Sequence, residues 1–386
     1  MPRYVFIADT HIHKFKQYSK NSGLDRMSIG LRCLRDSLQV ASDLQATWVH
    51  LGDVKHVRGV WDQDQIVGIA QCLSDYPSVE KHIIHGNGYH DGASVHDVSG
   101  NGLWWINAYA RVHTKKSVVQ CGGLKLCVSP WAPYHNVAEV EQFRGVMNEV
   151  RKLGYPRILL GHGIVDSVHV GNRTISGRSS FADFAMSDPV DSIFDVAFFG
   201  DVHKRQIVFA DKINQTRPLI YPGSPYAQNW SETEMDKGFF VVFVNEDPPD
   251  WVFDKYDEFY RDSYFSEYGS SSIRVFVVRC DYPYFIFTTG LDGLRSVMDN
   301  GLVRKNGCYL RVAVDKSDVE AVMDIVGSCE FILSLEILPI RQEINFNPNI
   351  ATTTLDMSEQ SLLRLFAEQV PPPCDVDELL RYVKTL

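Results

Sequence analysis

Five short stretches of the chain end in residue types that bind metal ions. They are Asp9-Thr10-His11, Gly52-Asp53-Val54-Lys55-His56, Gly86-Asn87, Gly161-His162 and Gly200-Asp201-Val202-His203. Each follows an apolar run that reads as a buried strand. Asp, His and Asn at the carboxyl ends of consecutive strands converge on one sheet edge, where α/β folds place their chemistry. Carboxylate, amide and imidazole donors suit Mn²⁺, Fe²⁺ or Mg²⁺ better than a thiolate-loving ion. The expected ligand set is Asp9, His11, Asp53, Asn87, His162, Asp201 and His203, with Asp53 bridging two divalent metal ions. One such motif alone means little; the ordered set of five points to a metal centre. Single histidines such as His82 and His85 read as core residues.

The elements that must position these residues follow from periodicity. Arg3–Asp9, Thr47–Asp53 and Glu80–Asn87 read as strands. Met27 to Leu44 and Gln63 to Leu73 have helical spacing between them, so the order is β-α-β-α-β with parallel strands. Ser117–Trp131 reads as a hairpin broken at Gly122-Gly123, and Val137–Lys152 as a helix. Arg157–Gly161 and Asp195–Gly200 are short apolar strands. Gln206–Ala210, Pro218–Tyr221, Gly238–Asn245 and Trp251–Tyr256 read as β-rich. This pattern predicts an α/β first domain, residues 1–265, of two packed sheets flanked by helices.

A dense set of aromatics runs to Tyr268, and Gly269-Ser270-Ser271-Ser272 marks the boundary. Residues 270–340 are expected to form a smaller α+β unit, with Ile273–Cys280, Tyr309–Val314 and Phe331–Pro339 as strands. Helices are expected near Leu291–Met298 and over Ser317–Val326. Residues 341–386 read as a tail of two amphipathic helices separated by Pro371-Pro372-Pro373.

The 386 residues, 45% hydrophobic and 22% charged, suit a soluble globular protein of two domains. No apolar run is long enough for a membrane span, and the start is not a signal peptide. None of the eight cysteines forms a CxxC pair, so buried thiols in a reducing cytoplasm are expected. The formal net charge of −10 argues against global attraction to nucleic acid. Any nucleic acid would have to be held by local basic loops and by bound metal. Lys14, Lys16 and Lys20, Lys55 and Arg58, and Lys204 and Arg205 follow the ligand motifs closely and would ring the metal edge. Trp104-Trp105 could stack on bases, although core packing is the more ordinary use of such aromatics.

The five motifs resemble the calcineurin-like metallophosphoesterase superfamily, whose pattern is DxH, GD, GNH[DE], GH and GHxH. Within it the chain is similar to the SbcD nuclease family, which includes phage versions and the eukaryotic meiotic-recombination nuclease. Asp53 followed by His56 matches the GDxxH of that family. Tyr221-Pro222-Gly223-Ser224-Pro225 resembles its PGS turn, and Asn229-Trp230-Ser231-Glu232 continues the likeness. The resemblance implies an α/β/β/α metallophosphoesterase sandwich, a capping domain and terminal helices. One ion would be held by Asp9, His11, Asp53 and His203, the other by Asp53, Asn87, His162 and Asp201. The ions, Mn²⁺ foremost and Mg²⁺ as an alternative, would activate a water and neutralise the phosphate.

Two departures stand out. Where the family writes GNHD, this chain has Gly86-Asn87-Gly88-Tyr89-His90-Asp91. His90 is expected to loop back as proton donor, oriented by Asp91, with His56 as the alternative donor. Where the family writes GHxH, Asp201 replaces the first His and adds a third carboxylate, favouring hard ions. The resemblance further implies a Mn²⁺-dependent exo- and endonuclease of recombination or repair, dimeric and working with an SbcC-like SMC-type ATPase. No GxxxxGK[ST] is present, so ATP would be bound by that partner. The alternatives are another metallophosphoesterase, or a DNA-end-binding scaffold.

Overall fold

The computed structural model describes residues 1–15, 26–94, 97–131, 145–165, 168–170, 173–174, 193–211, 216–232, 237–255, 259–268, 271–280, 282–299, 307–327, 329 and 331–339. Strands β1 (Arg3–Ile7), β2 (Thr47–His50) and β3 (Lys81–Ile84) alternate with helices α1 (Arg26–Leu44) and α2 (Gln63–Ser74). β1 pairs parallel with β2, and β2 with β3. α1 turns Met27, Ile29, Leu34, Leu38, Ala41 and Leu44 inward. α2 starts at a capping box of Asp62 and Gln65, which satisfies backbone N–H groups that the first turn leaves open.

The chain continues through β4 (Gly92–Ser94), β5 (Asp97–Asn101), β6 (Arg111–His113), β7 (Ser117–Cys121), β8 (Leu124–Ser129), β9 (Ile158–His162), β10 (His169–Val170) and β11 (Arg173–Thr174). Then come β12 (Val196–Gly200), β13 (Gln206–Asp211), β14 (Thr216–Tyr221), β15 (Gly238–Val244), α3 (Asp250–Lys255), β16 (Phe259–Tyr268) and β17 (Ser271–Arg279). A seven-stranded mixed sheet runs β16-β17-β15-β1-β2-β3-β6, and a six-stranded one runs β13-β14-β12-β9-β8-β7. Alternation along the strands decides what lies between them. Tyr4 and Phe6 of β1, Val49 of β2 and Val242 of β15 share one core with Val128, Leu160, Phe198 and Ile220 of the second sheet. Val5, Ile7, Trp48 and Phe243 point the other way, under α1 and α2. On the far face of the second sheet, Leu159, Ala197 and Phe199 pack with Val146, Met147 and Val150 of the helical residues 145–150. Strands covered on both faces must be apolar at every position, as Gly238–Val244 is.

A smaller unit follows: β18 (Tyr284–Thr289), α4 (Gly290–Asp299), β19 (Cys308–Val314), α5 (Val319–Val326) and β20 (Ile332–Pro339). Its three strands are parallel and share a core with the two helices. Phe285 and Tyr309 pack against Ala227 of the first unit, and the Arg26 guanidinium lies 5.2 Å from the rings of Tyr226, Phe285 and Tyr309.

Two expectations are corrected. The expected β-rich stretch from Trp251 is helical instead: Asp250–Lys255 forms a helix, because Pro249 and Asp250 make a helix start, and Tyr256 lies outside the described residues. Ile273–Cys280 does not begin the second unit. Ile273–Arg279 lie in β17 and pair with β15, so the chain leaves the large sheet only after Arg279. The small unit gains Tyr284–Thr289 in its place, a β-rich stretch that could have been read as a strand. The hairpin at Gly122-Gly123 stands as expected. Residues 137–144 of the expected Val137–Lys152 helix, and the tail 341–386 with both its helices, lie outside the described residues. Among the described residues, every cysteine is a free thiol, and no helix is long and apolar enough to cross a membrane.

Candidate metal centre

The backbone at the strand ends is unusual. Among the described residues, seven non-glycine residues have positive φ, and four of them are expected ligands: Asp9 (52°), His11 (38°), Asp53 (56°) and Asp201 (92°). L-residues adopt this region at a cost, about 1–3 kcal/mol each, and it persists where surrounding bonds enforce it. Those bonds are present. The loop after β1 runs beside the loop after β2, with N–H donation from Asp9 to Gly52 O (3.0 Å), His11 to Asp53 O (3.0 Å) and Ile12 to Val54 O (2.9 Å). Gln228 Nε2 donates to Asp9 O (2.5 Å) and Tyr226 Oη to Thr10 O (2.9 Å). Glycine is required where these loops meet. A Cβ on Gly52 would lie 2.3 Å from His162 Nδ1, and one on Gly86 would lie 2.1 Å from Asp53 N.

The ligand side chains converge on Asp53, which is 1% exposed. His162 Nε2 is 3.3 Å from Asp53 Oδ1 and 3.5 Å from Asp201 Oδ1. His11 Nε2 is 3.6 Å from Asp53 Oδ2 and 3.1 Å from His203 Nε2. Asp201 N donates to Asp9 Oδ1 at 3.0 Å. Asn87 N donates to Asp53 Oδ1 at 2.7 Å, while Asn87 Oδ1 accepts from Tyr89 N at 2.9 Å. Among the described residues, three groups have ligand atoms close enough to hold an ion: Asp9 with His11 and His203, Asp9 with Asp53 and His162, and His11 with His56 and His90.

The donor set fits divalent cations. His162 donates Nδ1–H to Leu51 O at 2.6 Å, which aims Nε2 between two carboxylates. That buried Nε2 has no hydrogen-bond partner, and a cation between the three groups would satisfy all of them. His203 donates Nδ1–H to Glu232 Oε1 at 2.8 Å, turning its Nε2 toward His11. A carboxylate behind an imidazole fixes its ring and makes it a better ligand.

Sequence reasoning missed this support. In the sequence, Glu232 and Ser224 stand out only through the family likeness, and nothing there marks Lys237, Gln228 or Tyr226. Glu232 also accepts from Ser224 Oγ (3.0 Å) and pairs with Lys237, whose Nζ reaches His203 O at 3.1 Å. An acidic residue shortly after a PGS turn was the available signal. Replacing Glu232 by Gln keeps the shape but removes the charge behind His203. It should weaken Mn²⁺ binding about 10- to 100-fold in a calorimetric titration; unchanged affinity would deny Glu232 that part.

Charge at the centre is tightly balanced. Burial pushes the Asp9 carboxyl up to about 7; Asp53 and Asp201 add to the rise, and His162 and His203 oppose it. Burial alone would raise Asp53, but the neighbouring His162, His90 and His11 hold it below the usual carboxylate range. Burial favours neutral His162, yet Asp53 and Asp201 outweigh it and hold its pKa well above the ordinary value. An incoming cation must displace protons from Asp9 and His162. Mn²⁺ affinity should therefore rise steadily from about pH 6 to about pH 8, with proton release on binding. A flat profile in titrations across that range would contradict this balance.

The expected catalytic residues are partly reassigned. His90 does return to the site: its Nε2 is 3.8 Å from Asp53 Oδ2, and its ring centroid is 4.4 Å from that of His11. Asp91 does not orient it. His90 Nδ1 donates instead to His56 O at 2.7 Å. Asp91 is fully buried and accepts from the backbone N–H of Asp53 (2.9 Å), Val54 (3.1 Å), Lys55 (3.3 Å) and Gly86 (3.0 Å). It clamps the turn that presents Asp53. His56 stacks on His90, centroids 5.4 Å apart.

The basic ring is thinner than expected. Lys14 pairs with Asp62 (2.9 Å) and Asp64 (2.7 Å). Lys55 is buried, its Nζ 4.8 Å from the centre of the Trp61 ring. Lys16 and Lys20 lie outside the described residues. Arg58, Lys204 and Arg205 remain on the ligand loops. Trp104 is 71% exposed, while Trp105 packs edge-on to Trp61 at 5.2 Å. His82 and His85 are buried among partners of their own, as expected of core residues.

Comparison with protein-family models and with curated proteins finds no match to this chain.

Proposed function

We propose that the chain is a metal-dependent phosphodiesterase that cleaves DNA, built on a metallophosphoesterase-type α/β/β/α sandwich. One observation carries this reading. The fully buried His162 Nε2, with no hydrogen bond, faces Asp53 and Asp201 at the point where the ligand-bearing strand ends meet. Asp9, His11, Asp53 and His203 would hold one cation, and Asp53, Asn87, His162 and Asp201 the other. Mn²⁺ is the first choice. When bound, such cations supply an activated water and offset the charge that builds on the phosphate.

The chain's own residues do the rest. Glu232 and Leu51 O lock two imidazoles in the ligating tautomer. Asp91 holds the Asp53 turn. His90, anchored through Nδ1 on His56 O, presents Nε2 beside Asp53, where its imidazolium form would protonate the leaving oxygen. Burial and the neighbouring His90 push His56 down to about 4, so it stays neutral and serves as a ring for His90 to stack on. This return of His90 favours hydrolysis over a binding scaffold. A homodimer and an SMC-type ATPase partner belong to the proposal through the family resemblance alone.

Purified full-length chain with Mn²⁺ and end-labelled DNA tests the reading. Cleavage that a chelator stops, and that Asp53→Ala removes, is expected. Turnover of small phosphoesters only would move the assignment to another phosphoesterase. Tight DNA binding without turnover would move it to a scaffold.

A further inference from the structure

Beside the metal centre stands an aromatic ring that the core does not use. Tyr89 is 62% exposed, although large aromatics are mostly buried on folding. It belongs to the Gly88-Tyr89 pair that separates Asn87 from His90, so both ends of its turn are fixed at the centre. Asn87 O accepts from the N–H of His90 and of Asp91, each at 2.8 Å, and Asn87 Oδ1 accepts from Tyr89 N. The Arg58 guanidinium lies 5.2 Å from the Tyr89 ring centroid. Its loop is tied to the same place, since His56 O accepts from His90 Nδ1 and Gly59 N donates to Gly92 O at 3.2 Å. Among the described residues no carboxylate pairs with Arg58, and its Nε is buried without a hydrogen bond. Trp131 braces the tyrosine edge-on, centroids 6.3 Å apart.

We propose that Tyr89, backed by Trp131 and Arg58, is a nucleobase-stacking subsite that seats the base of the nucleotide next to the bond being cut. This deepens the nuclease reading and rests on it. The subsite would take unpaired bases, because stacking on a side chain requires a base released from its partner. Every base has a π face, so the site discriminates little between sequences. Arg58 adds a cation over the same ring and a charge for the adjoining phosphate. The preferred substrate is then single-stranded or frayed DNA, with the base seated on Tyr89 and its phosphodiester beside His90 and Asp53.

The test compares Tyr89→Ala and Tyr89→Phe with the wild-type full chain in Mn²⁺. Two oligonucleotides are used, one single-stranded and one of the same length with abasic sugars. On the base-bearing strand, Tyr89→Ala should raise KM about 5- to 100-fold, with a smaller change in kcat. The penalty should vanish on the abasic strand, and Tyr89→Phe should show none. Binding of a 2-aminopurine oligonucleotide to metal-free protein reads the subsite without turnover. Fluorescence quenching is expected with wild type and Tyr89→Phe, and its loss with Tyr89→Ala. Equal quenching by all three proteins, or an equal Tyr89→Ala penalty on both strands, overturns the subsite. If quenching follows this pattern while neither strand is cut, the base site stands and the nuclease reading fails.

Discussion

Asp53→Ala should lower Mn²⁺-dependent DNA cleavage by roughly three orders of magnitude or more. The geometry explains why this position outranks the other ligands. One carboxylate oxygen faces His162 at 3.3 Å and accepts from Asn87 N at 2.7 Å, while the other faces His11 at 3.6 Å and His90 at 3.8 Å. The proposal assigns it to both cation sites, and it lies beside His90, the proposed proton donor. Its loss should empty both sites, whereas changing His203 should weaken one. Alanine tolerates the left-handed backbone at φ 56° less well than aspartate, so the change adds strain to the turn and relieves none. Steady-state rates with labelled DNA, paired with a circular dichroism spectrum to show that the fold is kept, check this. A residual rate within about tenfold of wild type would remove Asp53 from the centre.

Asp91→Ala should be the most damaging single change to stability, lowering it by about 3–5 kcal/mol. Its carboxylate is fully buried and gathers backbone N–H groups from both the Asp53 turn and Gly86. Deleting it leaves those donors without an acceptor in a place that water cannot easily reach. Each buried, unpaired donor costs about 1–3 kcal/mol, and local relaxation recovers part of the total. Asp91→Asn should fall between, since it keeps one acceptor oxygen but turns an amide donor toward N–H groups. Urea unfolding of the three proteins measures the order. An Asp91→Ala protein as stable as wild type would mean that the clamp is dispensable. Because the clamp positions Asp53, both variants should also lose affinity for Mn²⁺.

These two residues show what was legible in the sequence. Asp53 could be found because a buried parallel strand is an unbroken apolar run, and the residue after it is displayed at the sheet edge. The same logic located Asp9, His162, Asp201 and His203. Asp91 stands next to His90, a pair that reads as a dyad in the sequence. Only the folded turn shows its oxygens pointing back at the backbone of residues far upstream. Glu232 is harder still: it meets His203 across 29 residues, and no local pattern dictates that approach. The basic ring reads as fuller in the sequence than in the fold for a related reason. Charge near a ligand motif says nothing about whether a helix N-terminus such as Asp62 and Asp64 will claim it, as happens to Lys14. A turn-rich stretch such as that at Gly269 reads as a linker or as a hairpin with equal ease. Pairing of β17 with β15 decides between them.

The most direct measurement is diffraction from Mn²⁺-soaked crystals at the manganese absorption edge. Two anomalous peaks are predicted, one among Asp9, His11, Asp53 and His203, the other among Asp53, Asn87, His162 and Asp201, and neither should appear in Asp53→Ala. No peak at these side chains in fully soaked wild-type crystals would contradict the metal centre on which the proposed chemistry depends.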